Sequence, residues 1–138
     1  KKYNINCFAD DTGLEVEALD GAPGVFTARY GGHEKDAQQN MNYLMNELEK
    51  VGALDPSERG ARFRTAIHLI INGKEVGLEG ICKGHIAPLQ SGTAGFGYDP
   101  VFIPNGEDRT FSEMSAEEKN SMSHRGSAIR SMLEYLGV

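Results

Sequence analysis

The stretch Arg62-Phe63-Arg64-Thr65-Ala66-Ile67-His68-Leu69-Ile70-Ile71-Asn72-Gly73-Lys74 decides the architecture. Phe63, Thr65, Ile67, Leu69 and Ile71 fall on one face of an extended chain, and Arg62, Arg64, Ala66, His68 and Ile70 on the other. That alternation predicts a half-buried strand. Asn72-Gly73 suits a two-residue type I′ turn, whose central residues both take positive φ. Lys74 to Ile86 therefore returns as the antiparallel partner. Gly77, Gly80 and Gly84 weaken that return and predict bulges or a curled sheet. His68 and His85 read as strand-surface or partly buried side chains, since no pair here has zinc-ligand spacing.

Upstream, Phe8-Ala9-Asp10-Asp11-Thr12-Gly13-Leu14 runs from apolar residues into two carboxylates, a hydroxyl and a glycine. The pattern reads as a strand that ends by delivering acid to a rim, with Gly13 permitting a sharp exit. Successive strand side chains point to opposite faces, so Asp10 and Asp11 cannot both aim at one ligand while the chain stays extended. A solvated Asp-Asp-Thr-Gly turn is the competing reading. Leu14 to Leu19 alternates and suggests a second short extended piece. Asp20-Gly21 and Pro23-Gly24 then mark a loop.

Helices flank this framework. Ala37, Met41, Leu44, Met45, Leu48 and Val51 form one stripe of a helix from about Glu34 to Val51, with Asp36, Gln39, Asn40, Glu47 and Lys50 elsewhere on its surface. Ser115-Ala116-Glu117-Glu118 has capping-box form and starts a short helix. Ile129, Met132, Leu133 and Leu136 make the apolar stripe of a last helix from about Ser123 to Leu136, with Gly137 at its C-cap. The fold class is α/β: a mixed, curled sheet flanked by helices.

Composition narrows the function classes. The 138 residues carry a net charge of −6, which argues against broad contact with a nucleic-acid polymer. No apolar run approaches a membrane span, and no signal peptide is visible. Cys7 and Cys82 lie in apolar strand-like runs and read as buried free thiols of a reducing compartment.

Two further clusters can join the acidic strand in one site. In Ser91-Gly92-Thr93-Ala94-Gly95-Phe96-Gly97-Tyr98-Asp99-Pro100, glycines let amides approach a ligand, and Phe96 or Tyr98 can stack on a base. A hairpin loop whose aromatics cap the core is the alternative. Lys119, Ser123, His124, Arg125 and Gly126 supply charge and donors at a helix start. Basic residues oppose the dipole there, a small penalty that a docked anion or carbonyl offsets.

These clusters, in this order, resemble the inosine triphosphate pyrophosphatase family. The matching runs are Phe8–Leu14, Gly21–Tyr30, Gly95–Pro100, Glu118–Asn120 and Ser123–Gly126, spread over nearly the whole chain. The resemblance implies Mg²⁺-dependent attack of water on the α-phosphorus of ITP, dITP or XTP, yielding monophosphate and pyrophosphate. By position, Asp11 is implied as general base and metal ligand, with Asp10 beside it on the metal. Thr12, Phe96, Gly97, Tyr98, Asp99, Lys119, His124 and Arg125 are implied in substrate binding. A donor from His124, Arg125 or a backbone amide would read the purine 6-keto group, which adenine replaces with an amino donor. A cytoplasmic homodimer is also implied, with no membrane or nucleic-acid partner.

The family's opening strand, Thr/Ser-Gly-Asn-x-x-Lys phosphate loop, helix and metal-binding glutamate have no counterpart among these residues. The expectation is therefore one domain over residues 1–138 that is truncated at its N-terminus and turns over poorly alone. Two alternatives stand beside it: a non-catalytic nucleotide-binding or dimerisation module, and a pyrophosphatase for modified pyrimidine or methylated nucleotides.

Overall fold

The computed structural model describes residues 7–32, 36–92 and 97–137. Strands β2 (Gly60–Ile71) and β3 (Lys74–Ile86) form the expected hairpin, with Asn72 and Gly73 at φ 52° and 77°. β1 (Cys7–Val16) pairs antiparallel with β2, and the short β4 (Phe102–Pro104) with β3, in the order β1-β2-β3-β4. Every pairing among the described strands is antiparallel. Phe63, Thr65, Ile67 and Leu69 are buried, while Arg64 and His68 are exposed, as the alternation requires. None of the described helices is long and apolar enough to cross a membrane.

Helices cover one face of the sheet. Met41, Leu44 and Leu48 of α1 (Ala37–Lys50) join Leu14, Val16, Phe63, Ile86, Phe102 and Phe111 in the main core. Each such side chain contributes about 1.5–3 kcal/mol by leaving water. A smaller cluster holds Ile67 and Leu69 against Ala128 of α3 (His124–Leu136). Between the two helices the chain forms α2 (Ala116–Met122), started by the expected Ser115–Glu118 capping box.

Several expectations need correction. β1 does not end at the carboxylates: pairing with β2 continues through Gly13↔Arg64 to Val16↔Ala61. Gly13 is therefore no exit. It serves close approach, since a Cβ there would lie 3.0 Å from the Gly24 carbonyl oxygen. The proposed extended piece after Leu14 is the rest of β1 followed by a 3-10 turn at Glu17–Leu19. The glycines of β3 make no bulge, because its register with β2 is one-to-one throughout. A Cβ on Gly80 would instead collide with the His124 carbonyl and the Ala128 amide, so this glycine seats α3 directly on the sheet backbone.

The helix stripes also differ in detail. Asn40 was expected at the surface but is buried, holding the Ala28 carbonyl (2.9 Å) and the Gly31 amide (2.7 Å). Ala37 and Val51 are exposed instead. On α3 it is Ala128 and Met132 that face the sheet, while Ile129, Leu133 and Leu136 are 38–43% exposed. The Gly80 contact fixes which side of α3 meets β3, and that rotates the larger residues outward.

Arg59, just before β2, is buried. Its guanidinium donates to the carbonyls of Ala53 (3.1 Å), Ile86 (2.9 Å) and Ala87 (3.1 Å). Three connections are tied together by one fork.

Candidate functional site

Among the described residues β1 is the outer strand of the sheet, and the edge it turns away from β2 takes other partners. Residues 21–29 provide them from Leu14 onward. Val16 donates its amide to Ala22 (3.0 Å), Glu15 bridges Pro23, and the Leu14 amide reaches the Thr27 hydroxyl (3.0 Å). Ahead of that cover lie Asp10, Asp11 and Thr12.

The two carboxylates diverge, as strand geometry demands. Asp10 shares the α3 side of the sheet and pairs with Arg125 at 2.7 Å. Thr12 lies on that side too, its hydroxyl 2.9 Å from that of buried Thr65. Asp11 faces the other side. It opens on a cleft of about 220 Å³ with Thr12, Gly13, Thr27 and Arg64 on its walls. Arg64 is held there by Glu79 at 2.7 Å.

The remaining basic residues gather where α2 turns into α3. Lys119 reaches Asp99 at 2.6 Å, and both are shielded from solvent. Its ammonium also lies 5.6 Å from the centre of the Phe111 ring. The N-cap Ser123, whose hydroxyl accepts the Gly126 amide, sets the start of α3 and so the direction of His124 and Arg125. His124 is 8% exposed, with its ring stacked on Phe63 at 4.5 Å. Burial first, then the charges of Lys119 and Arg125, push its pKa down to about 4. The imidazole is neutral at pH 7, and its buried Nδ1 has no hydrogen-bond partner among the described residues.

Tyr98 takes the core-capping alternative. It is 3% exposed within the main core, and its hydroxyl donates to the Thr27 carbonyl at 2.7 Å. Burial raises its pKa well above the ordinary tyrosine value. Gly97 precedes it with φ 62°, a conformation glycine adopts freely. Phe96 lies outside the described residues, as do Gly95, Glu34 and the Cys7 side chain. Cys82 is a buried free thiol, with burial pushing its pKa up to about 11.

Asp10, Thr12, Asp99, Lys119, His124 and Arg125 thus belong to one side of the sheet, and Asp11 to the other. Sequence reasoning missed Thr27, Thr65 and Arg64 as site neighbours. Thr65 and Arg64 are placed by the β1–β2 register, which no local pattern encodes. Thr27 lies in Val25-Phe26-Thr27-Ala28-Arg29-Tyr30, a run whose sequence leaves its conformation open.

These residues do not by themselves fit a magnesium site. Octahedral Mg²⁺ wants several oxygens converging on one point. Here one carboxylate is on Arg125, the other points to the opposite face, and no three His, Cys, Asp or Glu side chains converge among the described residues.

The chain matches the Ham1 family over residues 1–135. It is 49% identical over 134 residues to a dITP/XTP pyrophosphatase of Christiangramia forsetii, covering 97% of this chain and 68% of that protein. The corresponding Bacillus subtilis dITP/XTP pyrophosphatase is 41% identical over 137 residues, covering 99% and 68%. Among solved structures, the Staphylococcus aureus Ham1 protein superposes with a TM-score of 0.90 at 36% identity, covering 99% of this chain and 69% of that one. A Mycobacterium abscessus nucleoside-triphosphatase / dITP/XTP pyrophosphatase gives 0.80 at 42% identity, covering 96% and 67%.

Proposed function

The chain belongs to the Ham1 family, and from that premise we propose that it hydrolyses non-standard purine nucleoside triphosphates, dITP, ITP and XTP, to the monophosphate and pyrophosphate. The observation that carries this reading is the cluster at the α2–α3 turn. A shielded Asp99–Lys119 pair stands beside a neutral, buried imidazole and an arginine at the rim. Such a cluster would offer fixed donors and acceptors to the edge of a base. A ligand that leaves one of them unpaired in a dry site suffers the full desolvation penalty, so keto and amino purines are separable by orders of magnitude.

The acidic strand supplies the other half of the reading. Because Asp10 and Asp11 stand on opposite faces of β1, a triphosphate lying along residues 10–12 would reach side chains on both faces. Asp11 would then orient the attacking water and take its proton, while Arg125 and Lys119 balance phosphate or base charge. Thr12, on the α3 side beside Thr65, is a substrate contact in this reading. Phe96, Gly97 and Asp99 complete the nucleotide turn, and Tyr98 supports it from the core. The protein acts as a cytoplasmic homodimer in this reading.

A pyrophosphate-release assay with dITP, ITP, XTP, ATP and GTP, with and without Mg²⁺, tests the proposal. Slow release from the first three, above that from ATP, is expected of this chain by itself, with Asp11→Asn reducing it at least about a hundredfold. No release, or equal release from ATP, overturns it. The divergence of Asp10 and Asp11 favours one second reading, a nucleotide-binding module that keeps the base pocket without hydrolysis. Binding of ITP with no product would establish that instead.

A further inference from the structure

The two parts of the proposed site are far apart in sequence, yet one residue touches the supports of both, by its hydroxyl on one side and its backbone carbonyl on the other. Thr27 sits in the 3-10 turn Gly24–Arg29. Its hydroxyl accepts the amide of Leu14 at 3.0 Å and donates to the Gly24 carbonyl. Its own carbonyl accepts the Tyr98 hydroxyl at 2.7 Å. Leu14 is three residues after Asp11 on a rigid strand, and Tyr98 is bonded directly to Asp99 in the chain.

We propose that Thr27 is a positioning residue: it ties the acid strand to the nucleotide turn and so fixes the separation between Asp11 and the Asp99–Lys119 pair. The role in turnover rests on the hydrolase reading given above; the tie itself does not.

Three features support a dedicated role over ordinary packing. Thr27 is on the wall of the cleft that Asp11 opens on. Gly13 lets the turn approach the strand backbone: a Cβ there would lie 3.0 Å from the Gly24 carbonyl oxygen and 3.5 Å from the Thr27 hydroxyl. Beyond Thr27 the same segment is clamped by buried Asn40, which holds Ala28 and Gly31. The segment is thus anchored to α1 at one end, and Thr27 converts that anchorage into a setting for β1 and for Tyr98. Misplacing reacting groups by about 1 Å can cost about a hundredfold in rate, so a spacer of this kind acts on kcat more than on binding.

The test compares wild type, Thr27→Val, Thr27→Ser and Tyr98→Phe by steady-state kinetics with dITP and by residue-resolved amide hydrogen exchange. Valine keeps the shape and loses both hydroxyl bonds; serine keeps the bonds. Thr27→Val is expected to lower kcat about tenfold or more, with KM within about threefold of wild type, while Thr27→Ser restores kcat. Exchange is expected to quicken at Leu14 and at Gly97–Asp99 together in Thr27→Val and not in Thr27→Ser. Equal behaviour of the valine and serine variants, or faster exchange confined to residues 24–28, overturns the proposal. Should the wild type release no pyrophosphate, the hydrolase reading falls and the exchange data alone decide the tie. If Thr27→Val does not fold, Tyr98→Phe decides: faster exchange at Leu14, remote from the lost hydroxyl, supports the tie, and unchanged exchange there refutes it.

Discussion

His124 concentrates most of what single residues contribute. Its folded pKa of about 4 lies below the ordinary value of 6.5, so the unfolded chain binds the proton first as pH falls. The stability due to burying the neutral ring is fully present above about pH 6.5 and is lost progressively between there and pH 4. The loss amounts to about 3 kcal/mol at most. Urea midpoints at pH 7 and pH 4.5 should therefore differ more in wild type than in His124→Gln. Arg59 gives a second test. Replacing it with Met strands three buried carbonyls, and a loss of about 3 kcal/mol in urea unfolding at pH 7 is expected. Neither residue's environment was legible beforehand. His124 was picked out by its neighbours in sequence, but its stack on Phe63 depends on how α3 seats, and Arg59 carries no local signature of burial.

At the scale of elements, the hairpin was readable because its signals are local: period-two alternation and an Asn-Gly turn. The extent of β1 was not, since it depends on β2 pairing past Gly13. The same limit explains α3. Its sequence shows an apolar stripe, yet the side that meets the sheet is chosen by Gly80, a residue more than forty positions upstream. Three substitutions check this. Gly80→Ala should destabilise by about 2 kcal/mol or more through overpacking, while Gly77→Ala, with open space around it, stays within about 1 kcal/mol. Leu133→Lys on the exposed side of α3 should change stability by no more than about 0.5 kcal/mol. Thermal and urea unfolding distinguish all three.

For the molecule as a whole, the candidate site was legible as a set of residues but not as an arrangement. The acidic pair, the Gly-Tyr-Asp turn and the basic helix start were each recognisable. That Asp10 and Asp11 serve opposite faces follows from alternation alone, but that Arg125 would meet Asp10 needed the fold. Assembly gives the whole-molecule prediction: sedimentation equilibrium should return about twice the 15.0 kDa of the chain if the homodimer forms.

The bare backbone seat at Gly80 has a last implication. With no side chain between strand and helix at that point, the recognition turn rests on a hard stop whose height no rotamer can adjust. Selectivity among bases must then be retuned from the opposite jaw, by exchanging residues of the Gly97–Asp99 turn, because shimming the helix itself would lift His124 and Arg125 together.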